Sequence, residues 1–370
     1  MELSLGFIVA VLLGIVAAFP FTSLFNPTSL QVRDGRRTIH VQSGQFIQNA
    51  INAASPGDRI VVEAGTYTEQ LTIQTDGISL VGLGAILVPP SHPVTNICSD
   101  LAGKDTQAGI CVMGSNVSLA SFVVEHRKVL SVGKPVEDVS ISGFHVSNFS
   151  GFNIAVIGAR NARVTENLLT DGEFYGFLTA GSINTQVTNN TLSSSKKLGF
   201  IALCMDNLDG VHVSNNRISK YDIALCVQTA SADVQHNKVS DNCMGIYVDP
   251  GIKGARVRYN HISATNPDCR ELPPEIAFGT YGIILDGAIN TEVSSNLIEG
   301  QTNNGLAAGL AVFDQACSVP ESSLSCSILR RKVEASGNVV IHNILRHNDV
   351  DLLINTTGSN TIAHNKFLET

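Results

Sequence analysis

Two aspartates and a tyrosine occupy corresponding places in two short apolar runs. Asp249 ends the run that begins at Gly245, and Asp286 ends the run that begins at Gly282. Tyr247 lies two residues before the first of them. If the runs form neighbouring strands, the two carboxyl groups lie side by side, with backbones about 4.8 Å apart. Two carboxyl groups so close beside apolar residues cannot both ionise at low cost, so we predict that one is an acid and that Asp249, Asp286 and Tyr247 are catalytic.

Two other interpretations of the aspartate pair stay open. The carboxylates could share a Ca²⁺ ion, which needs several oxygen ligands. Alternatively, each aspartate could simply end a strand at a turn, as Asp often does. We predict no metal site and no cofactor, and we consider Ca²⁺ only if the protein is a polysaccharide lyase.

A sequence repeat must position these residues. From residue 164 onward the pattern Val-x-x-Asn-x-(Ile/Leu/Val) recurs with a basic spacing of 23 residues, and Gly or Asp opens a short apolar run in each unit. Each unit has room only for short strands, so the repeat predicts an all-β solenoid, a parallel β-helix. We expect the repeated asparagines to adopt the left-handed conformation at a bend and to bond to one another between coils. They are Asn167, Asn190, Asn216, Asn237, Asn260, Asn296, Asn343 and Asn365.

The segment before the repeat has a different pattern. Residues 44–54 have helical periodicity, followed by Ser55-Pro-Gly-Asp58 and the strand-like run from Ile60 to Tyr67. A helix here would cover the open end of the first coil. This arrangement resembles the opening of the pectin-lyase-like superfamily, and the resemblance extends over residues 40–370. It implies a right-handed parallel β-helix with an N-terminal capping helix.

Strand alternation predicts which side chains face outward. The outward positions of the repeat carry a mostly apolar surface, which should be covered or bind a ligand. We predict these residues, together with two basic residues from an earlier coil, as substrate-binding. They are Leu178, Ile201, Leu203, Ile284 and Phe313, with Arg127 and Lys128.

Two long insertions interrupt the repeat next to this surface. They lie at 263–280 and 314–338, and we expect them either to form the roof of a ligand pocket or to pack down on the sheet. The predicted organisation is therefore a leader at 1–18, a linker at 19–39 and one β-helix domain at 40–370.

Composition limits the function. The chain has 370 residues and a net charge of −8, without a block of Lys or Arg, which argues against a nucleic-acid partner. The apolar surface, the roofing insertions and the small number of polar groups favour an enzyme that cyclises or isomerises an apolar small molecule without a cofactor, for example by a pericyclic reaction. We expect a monomer.

Two alternative functions remain. The first is a secreted polysaccharide enzyme, a uronate lyase, an epimerase or a glycoside hydrolase, which the superfamily resemblance implies. The second is a non-catalytic protein of the cell wall or of adhesion. A polysaccharide would then replace the apolar molecule as the partner.

The amino terminus indicates the secretory pathway. Residues 5–19 form an almost wholly apolar run, typical of a secretory signal peptide or, if uncleaved, of a signal anchor that would tie the protein to a membrane. Eight cysteines agree with an oxidising compartment, and we expect the pairs Cys98–Cys111, Cys243–Cys269 and Cys317–Cys326 from their nearness. Four sequons predict glycosylation of a secreted or lumenal protein, at Asn116, Asn148, Asn189 and Asn355.

Overall fold

The chain winds into a parallel β-helix with three sheets. The structure, a computed structural model, describes residues 31–33, 36–196, 198–271, 279–319 and 323–368. The predicted leader and part of each insertion lie outside these residues. In the part of the chain that is described, no helix is both long and apolar enough to cross a membrane.

Sheet 1 carries the predicted catalytic residues. It has ten strands, each paired in parallel with the strand of the next coil. Its strands are Leu71–Ile73, Ala108–Met113, Phe152–Ile157, Tyr175–Ala180, Gly199–Asp206, Tyr221–Val227, Met244–Val248, Tyr281–Asp286, Ala308–Phe313 and Val350–Asn355.

Sheets 2 and 3 complete each coil. Sheet 2 has fifteen strands and is parallel apart from its first pair. Its strands are Gln31–Arg33, Arg36–Val41, Arg59–Val62, Ser79–Gly82, Val136–Glu137, Ser140–Ser142, Ala159–Arg160, Arg163–Thr165, Ile183–Thr188, Asp209–Ser214, Asp233–Gln235, Arg256–Arg258, Glu292–Ser294, Val339–Ile341 and Thr361–Ala363. The eleven strands of sheet 3 are Gly65–Thr68, Ala85–Val88, His145–Ser147, Leu168–Thr170, Thr191–Ser193, Arg217–Ser219, Lys238–Asn242, His261–Thr265, Leu297–Glu299, Ile344–Arg346 and Lys366–Leu368.

Few elements lie outside the three sheets. The helix predicted within residues 44–54 is present as α1, Ile47–Ala53, and its buried residues Ile47, Ala50 and Ile51 join the interior core. A second helix, α2, spans Leu324–Leu329, and Pro267–Glu271 forms one 3₁₀ turn. Strands Ser115–Leu119 and Val129–Lys134 pair as an antiparallel hairpin.

The asparagine ladder forms as predicted. In each coil the backbone and side-chain N–H groups of the ladder asparagine donate to the side-chain oxygen of the next one, as Asn190 does to Asn216 at 2.9 and 3.1 Å. The expectation of a left-handed asparagine was wrong, because that conformation is adopted by the residue before it, such as His236 or His342. The ladder asparagine itself turns inward, where its amide satisfies buried carbonyl groups such as that of Val187.

All three expected disulfides are present: Cys98–Cys111, Cys243–Cys269 and Cys317–Cys326. Cys204 and Cys226 stay as buried thiols in register on neighbouring strands of sheet 1. The first disulfide joins a loop to strand Ala108–Met113 of sheet 1. The second joins Cys243, directly before strand Met244–Val248, to the 3₁₀ turn, and the third closes the loop that carries α2.

Candidate functional site

The outer face of sheet 1 is largely covered. Leu178 and Ile201 are fully buried, in a second hydrophobic cluster that is separate from the interior core. The cover comes from residues 97–132, whose Leu101 and Val129 belong to that cluster. Sequence reasoning identified the apolar strip but missed this covering segment, because the segment precedes the regular repeats.

Leu203 does not belong to the outer face as predicted. It pairs with Phe177 and points into the interior core. Three additional residues in the turn after Thr191–Ser193 shift the spacing between coils from 23 to 26 residues at this point. In this register Cys204, not Leu203, lies beside Leu178 and takes the outward place. Ile201 stays on the outer face beside Tyr175.

Because of the same shift in spacing, sequence reasoning missed two polar residues on the outer face. With the corrected register, Asp206 and Gln228 precede Asp249 and Asp286 in one outward row at the ends of the sheet 1 strands. The sequence would reveal this row of polar residues only if the three additional residues were assigned to the turn after Thr191–Ser193.

An open cavity of about 270 Å³ contains four of the predicted site residues. Two are the predicted catalytic residues Tyr247 and Asp286, and two are the predicted binding residues Ile284 and Phe313. Tyr281, Asp314, Gln315 and Asn355 complete the lining. The insertion at 314–338 forms one wall of this cavity, so in this place the expectation of a roofing loop agrees with the structure.

Asp286 has a raised pKa and two hydrogen-bond donors on one oxygen. The Tyr247 hydroxyl and the Gln315 side-chain amide both donate to its Oδ2, at 2.6 and 2.8 Å. Burial raises the pKa of Asp286, although these two hydrogen bonds oppose the shift. Burial and the neighbouring Asp286 also raise the pKa of Tyr247 well above its usual value. Oδ1 of Asp286 accepts no hydrogen bond from the described residues, so it is available to a ligand.

The pKa of Asp314 is shifted in the opposite direction from that of Asp286. Burial acts against its charge, but hydrogen bonds from Thr356, Thr357 and the backbone of Ala335 lower the pKa of Asp314. Lys332 pairs with it at 3.2 Å. The cavity therefore holds one carboxyl group that keeps its proton more readily than usual and one that stays ionised, a combination that suits acid catalysis.

The remaining wall is aromatic and apolar. Tyr281 and Phe313 meet edge to face with ring centroids 5.7 Å apart, and Ile284 lies beside them. Such a wall can pack against the apolar face of a ring-shaped ligand, while the amide of Gln315 offers a polar contact.

Asp249 lies outside this cavity. It is completely buried beneath α2, where Ser325 and Gln228 donate to its Oδ2 at 2.9 and 3.0 Å. Burial and the nearby Glu125 raise the pKa of Asp249 well above its usual value. Asp249 lines neither cavity, and its hydrogen bond with Ser325 joins α2 to sheet 1.

Lys128 and Arg127 lie in different surroundings from each other. Lys128 pairs with Asp206 beside a second cavity of about 150 Å³. Arg127 donates to the carbonyl oxygen of Ala120 within the covering segment and lines neither cavity. Asp206 also contacts the fully buried His126, whose other ring nitrogen meets the Tyr175 hydroxyl.

The aspartate pair does not fit a Ca²⁺ site. Oδ2 of Asp249 and Oδ2 of Asp286 are each engaged by two donors. Among the described residues, no group of three or more His, Cys, Asp or Glu side chains is arranged to hold a metal ion.

Known proteins share this architecture. Residues 131–315, half of the chain, match the family described as "Right handed beta helix region". No curated protein sequence matches. Similar solved structures include XylC with xylose (12% identity, TM-score 0.54, 85% of this chain and 69% of that chain).

Two further structures have a comparable similarity. One is a lacto-N-biosidase from Eubacterium ramulus (11% identity, TM-score 0.53, 90% of this chain and 68% of that chain). The other is a mutant of the periplasmic alginate epimerase AlgG (12% identity, TM-score 0.50, 90% and 85%). At these identities the likeness concerns the fold. With half of its sequence matched and three parallel sheets wound from it, the chain belongs to the right-handed parallel β-helix family.

Proposed function

We propose that this protein is a carbohydrate-active enzyme that cleaves a glycosidic bond in the Asp286 cavity. The observation that carries the proposal is the carboxyl group of Asp286, which has a raised pKa and a free Oδ1 and faces an open cavity beside an ionised Asp314. The solved structures of the same fold named above act on or bind saccharides, which supports the class of substrate by analogy.

Each residue has a part in the proposed reaction. Protonated Asp286 donates its proton through Oδ1 to the leaving oxygen, while Tyr247 and Gln315 hold the carboxyl group in place. The ionised Asp314 stabilises the positive charge that develops on the sugar ring. A water molecule from the open cavity adds to the anomeric carbon as the bond to the leaving oxygen breaks, and the proton that it releases to solvent restores the protonated Asp286. Tyr281 and Phe313 pack against the ring.

The apolar small-molecule hypothesis is less well supported. It depends on an open apolar groove, but Leu178 and Ile201 are buried under the covering segment. The apolar surface that borders the cavity is limited to Ile284 and the two aromatic rings.

We also infer passage through the secretory pathway. The three disulfides fit an oxidising compartment. The predicted glycosylation sites Asn116, Asn148, Asn189 and Asn355 are all exposed. Treatment of the secreted protein with a peptide N-glycosidase should reduce its apparent mass, and an unchanged mass would contradict the inference.

The test is a reaction panel on the purified full chain. Xylan, alginate, polygalacturonate and galacto-oligosaccharides are incubated with the protein, and new reducing ends and unsaturated uronides are measured separately, so that hydrolysis and elimination are distinguished. We expect cleavage by the wild type and its loss in Asp286→Asn. Asp209→Asn, at an exposed carboxylate on sheet 2, is the matched control.

A different outcome would favour the other hypothesis. Thermal stabilisation by an apolar metabolite, combined with no reaction on any saccharide, would contradict glycosidic cleavage and support the small-molecule function.

A further inference from the structure

The outer face of sheet 2 has a basic groove far along the chain from the Asp286 cavity. It has a volume of about 890 Å³ and includes Arg36, Arg59 and Arg163 in its lining. All three side chains are exposed, and none of them forms an ion pair with a described residue. The whole chain has a net charge of −8, so a groove lined by arginines without described ion-pair partners is a local region of positive charge.

The register of sheet 2 sets the spacing of these charges. Arg59 pairs with Ser79, Ser79 with Ser140, and Ser140 with Arg163, all in one outward row. Three strand steps separate the two arginines, which places their backbones about 14 Å apart along the axis of the β-helix. Serine hydroxyls therefore lie between two guanidinium groups on one line.

Nearby charges only partly compensate this groove. Arg37 is neutralised by Asp58, with which it pairs at 2.6 Å. Asp138, at the edge of the groove, accepts a hydrogen bond from Asn161. Counting the described residues alone, three arginines without a carboxylate partner against one carboxylate leave the groove positive.

The same row provides an internal comparison. Further along, Asp233 pairs with Arg256 in register and lies within salt-bridge distance of Arg256 and Arg258, at 3.9 and 2.8 Å. Glu292 follows Arg256 in the next coil. Arginines at the C-terminal part of the row therefore have carboxylate partners, whereas Arg59 and Arg163 have none in the part of the chain that the structure describes. The positive charge is therefore local to the groove.

We propose that this groove binds an acidic polysaccharide, lengthwise along the β-helix and apart from the Asp286 cavity. Guanidinium groups form paired hydrogen bonds to carboxylate or sulfate groups. The serines and Thr38 supply hydroxyl partners for the sugar hydroxyls. The lining contains no aromatic side chain on which nucleic-acid bases could stack and no apolar side chain that could insert into a membrane.

The binding test uses the full chain and four probes. Polygalacturonate offers carboxylates, dextran sulfate offers sulfates, dextran is the neutral control and oligodeoxythymidine is the nucleic-acid control. We expect calorimetric binding of at least one acidic polysaccharide, weaker at higher salt, and no binding of dextran. The two acidic probes decide which anionic group the groove prefers.

Variants identify the residues. Arg59→Ser/Arg163→Ser should weaken binding by about tenfold or more, because two charge-assisted contacts are lost. The matched control Arg256→Ser, on the same row, should leave the affinity within about twofold. All of these side chains are exposed, so the variants should fold, and thermal unfolding checks that they do.

Two outcomes would overturn the proposal. One is an affinity for acidic polysaccharide that the double variant leaves unchanged, and the other is a tighter binding of oligodeoxythymidine than of either acidic polysaccharide. Asp286→Asn should retain full binding to the groove. Loss of cleavage and loss of groove binding are therefore separable, and either proposal can fail alone.

Discussion

The outer face of sheet 1 has two halves that the same repeat produces and that differ in what lies over them. Over the first coils, residues 97–132 bury Leu178 and Ile201 in a second hydrophobic cluster. Over the later coils the face opens into the cavity that holds Asp286. Apolar side chains on the outer face are therefore buried in a hydrophobic cluster over the first coils, and over the later coils they line the candidate site.

The two aspartates show the same contrast. Asp249 and Asp286 follow corresponding strands of consecutive coils. α2 covers the first, whose carboxyl group is shielded by Ser325 and Gln228. Asp286 keeps one oxygen open to the cavity. Equivalent positions in a repeat thus have different roles because the insertions, not the repeat, decide what solvent and ligand can reach.

The largest expected effect tests the open half. Asp286→Asn keeps the shape but removes the proton donor, so the rate of saccharide cleavage should fall by about 10² to 10⁴. Steady-state kinetics on the best substrate of the panel measures it. A variant that retains most of the wild-type rate would show that the cavity does not use this acid.

The next effect tests the covered half. Leu178→Ala removes a fully buried side chain and should cost about 3 kcal/mol of unfolding free energy. Leu353→Ala, in the corresponding row of the last coil, removes a side chain that is 37% exposed and should cost less than about 1 kcal/mol. Denaturant unfolding measures both. Equal costs would contradict the difference between the two halves.

A smaller effect concerns the hydrogen bond from Tyr247 to Asp286. Tyr247→Phe removes the hydroxyl that donates to Asp286, and this hydrogen bond lowers the pKa of Asp286. The variant should be about tenfold slower. The pH at which activity declines on the alkaline side should move upward, because the pKa of Asp286 rises further. A pH–rate profile that stays in place would exclude Asp286 as the group that titrates.

The smallest effect concerns the covered carboxyl group. The pKa of Asp249 in the folded protein lies well above 3.8, so the folded state holds this proton more tightly than the unfolded state. This contribution to stability is complete below the unfolded pKa and is lost as pH rises through the folded pKa. Asp249→Asn should change the unfolding free energy by about 1 kcal/mol or less in mild acid and should flatten its decline at higher pH. If the unfolding free energies of the wild type and of Asp249→Asn depend equally on pH, the raised pKa of Asp249 is contradicted.

Much of the fold could be predicted from local patterns. The repeat of Val and Asn predicted the parallel coils and the asparagine ladder, and the spacing of the cysteines predicted all three disulfides. Four of the residues that the sequence identified as candidates, Tyr247, Asp286, Ile284 and Phe313, line one cavity, and their roles stay predictions. The outward direction predicted for Leu203 was wrong, because a three-residue extension of one turn places Cys204 rather than Leu203 beside Leu178.

Other parts of the site depended on contacts between distant segments. Gln315 reaches Asp286 from an insertion, and Glu125 of the covering segment accepts hydrogen bonds from Gln228 and from the backbone of Leu324. Neither contact has a local signal, because neither segment follows the repeat.

The sequence by itself determined the coil, since a short repeated unit can bury its apolar side chains only against its own copies. It also placed Asp249 and Asp286 at corresponding positions of consecutive coils, because each of them ends an apolar run that opens with the repeated glycine. Only the tertiary structure decided which carboxyl group is buried and which faces a cavity, since that depends on where the irregular segments pack. Their contacts are long-range and aperiodic, and no local pattern encodes them.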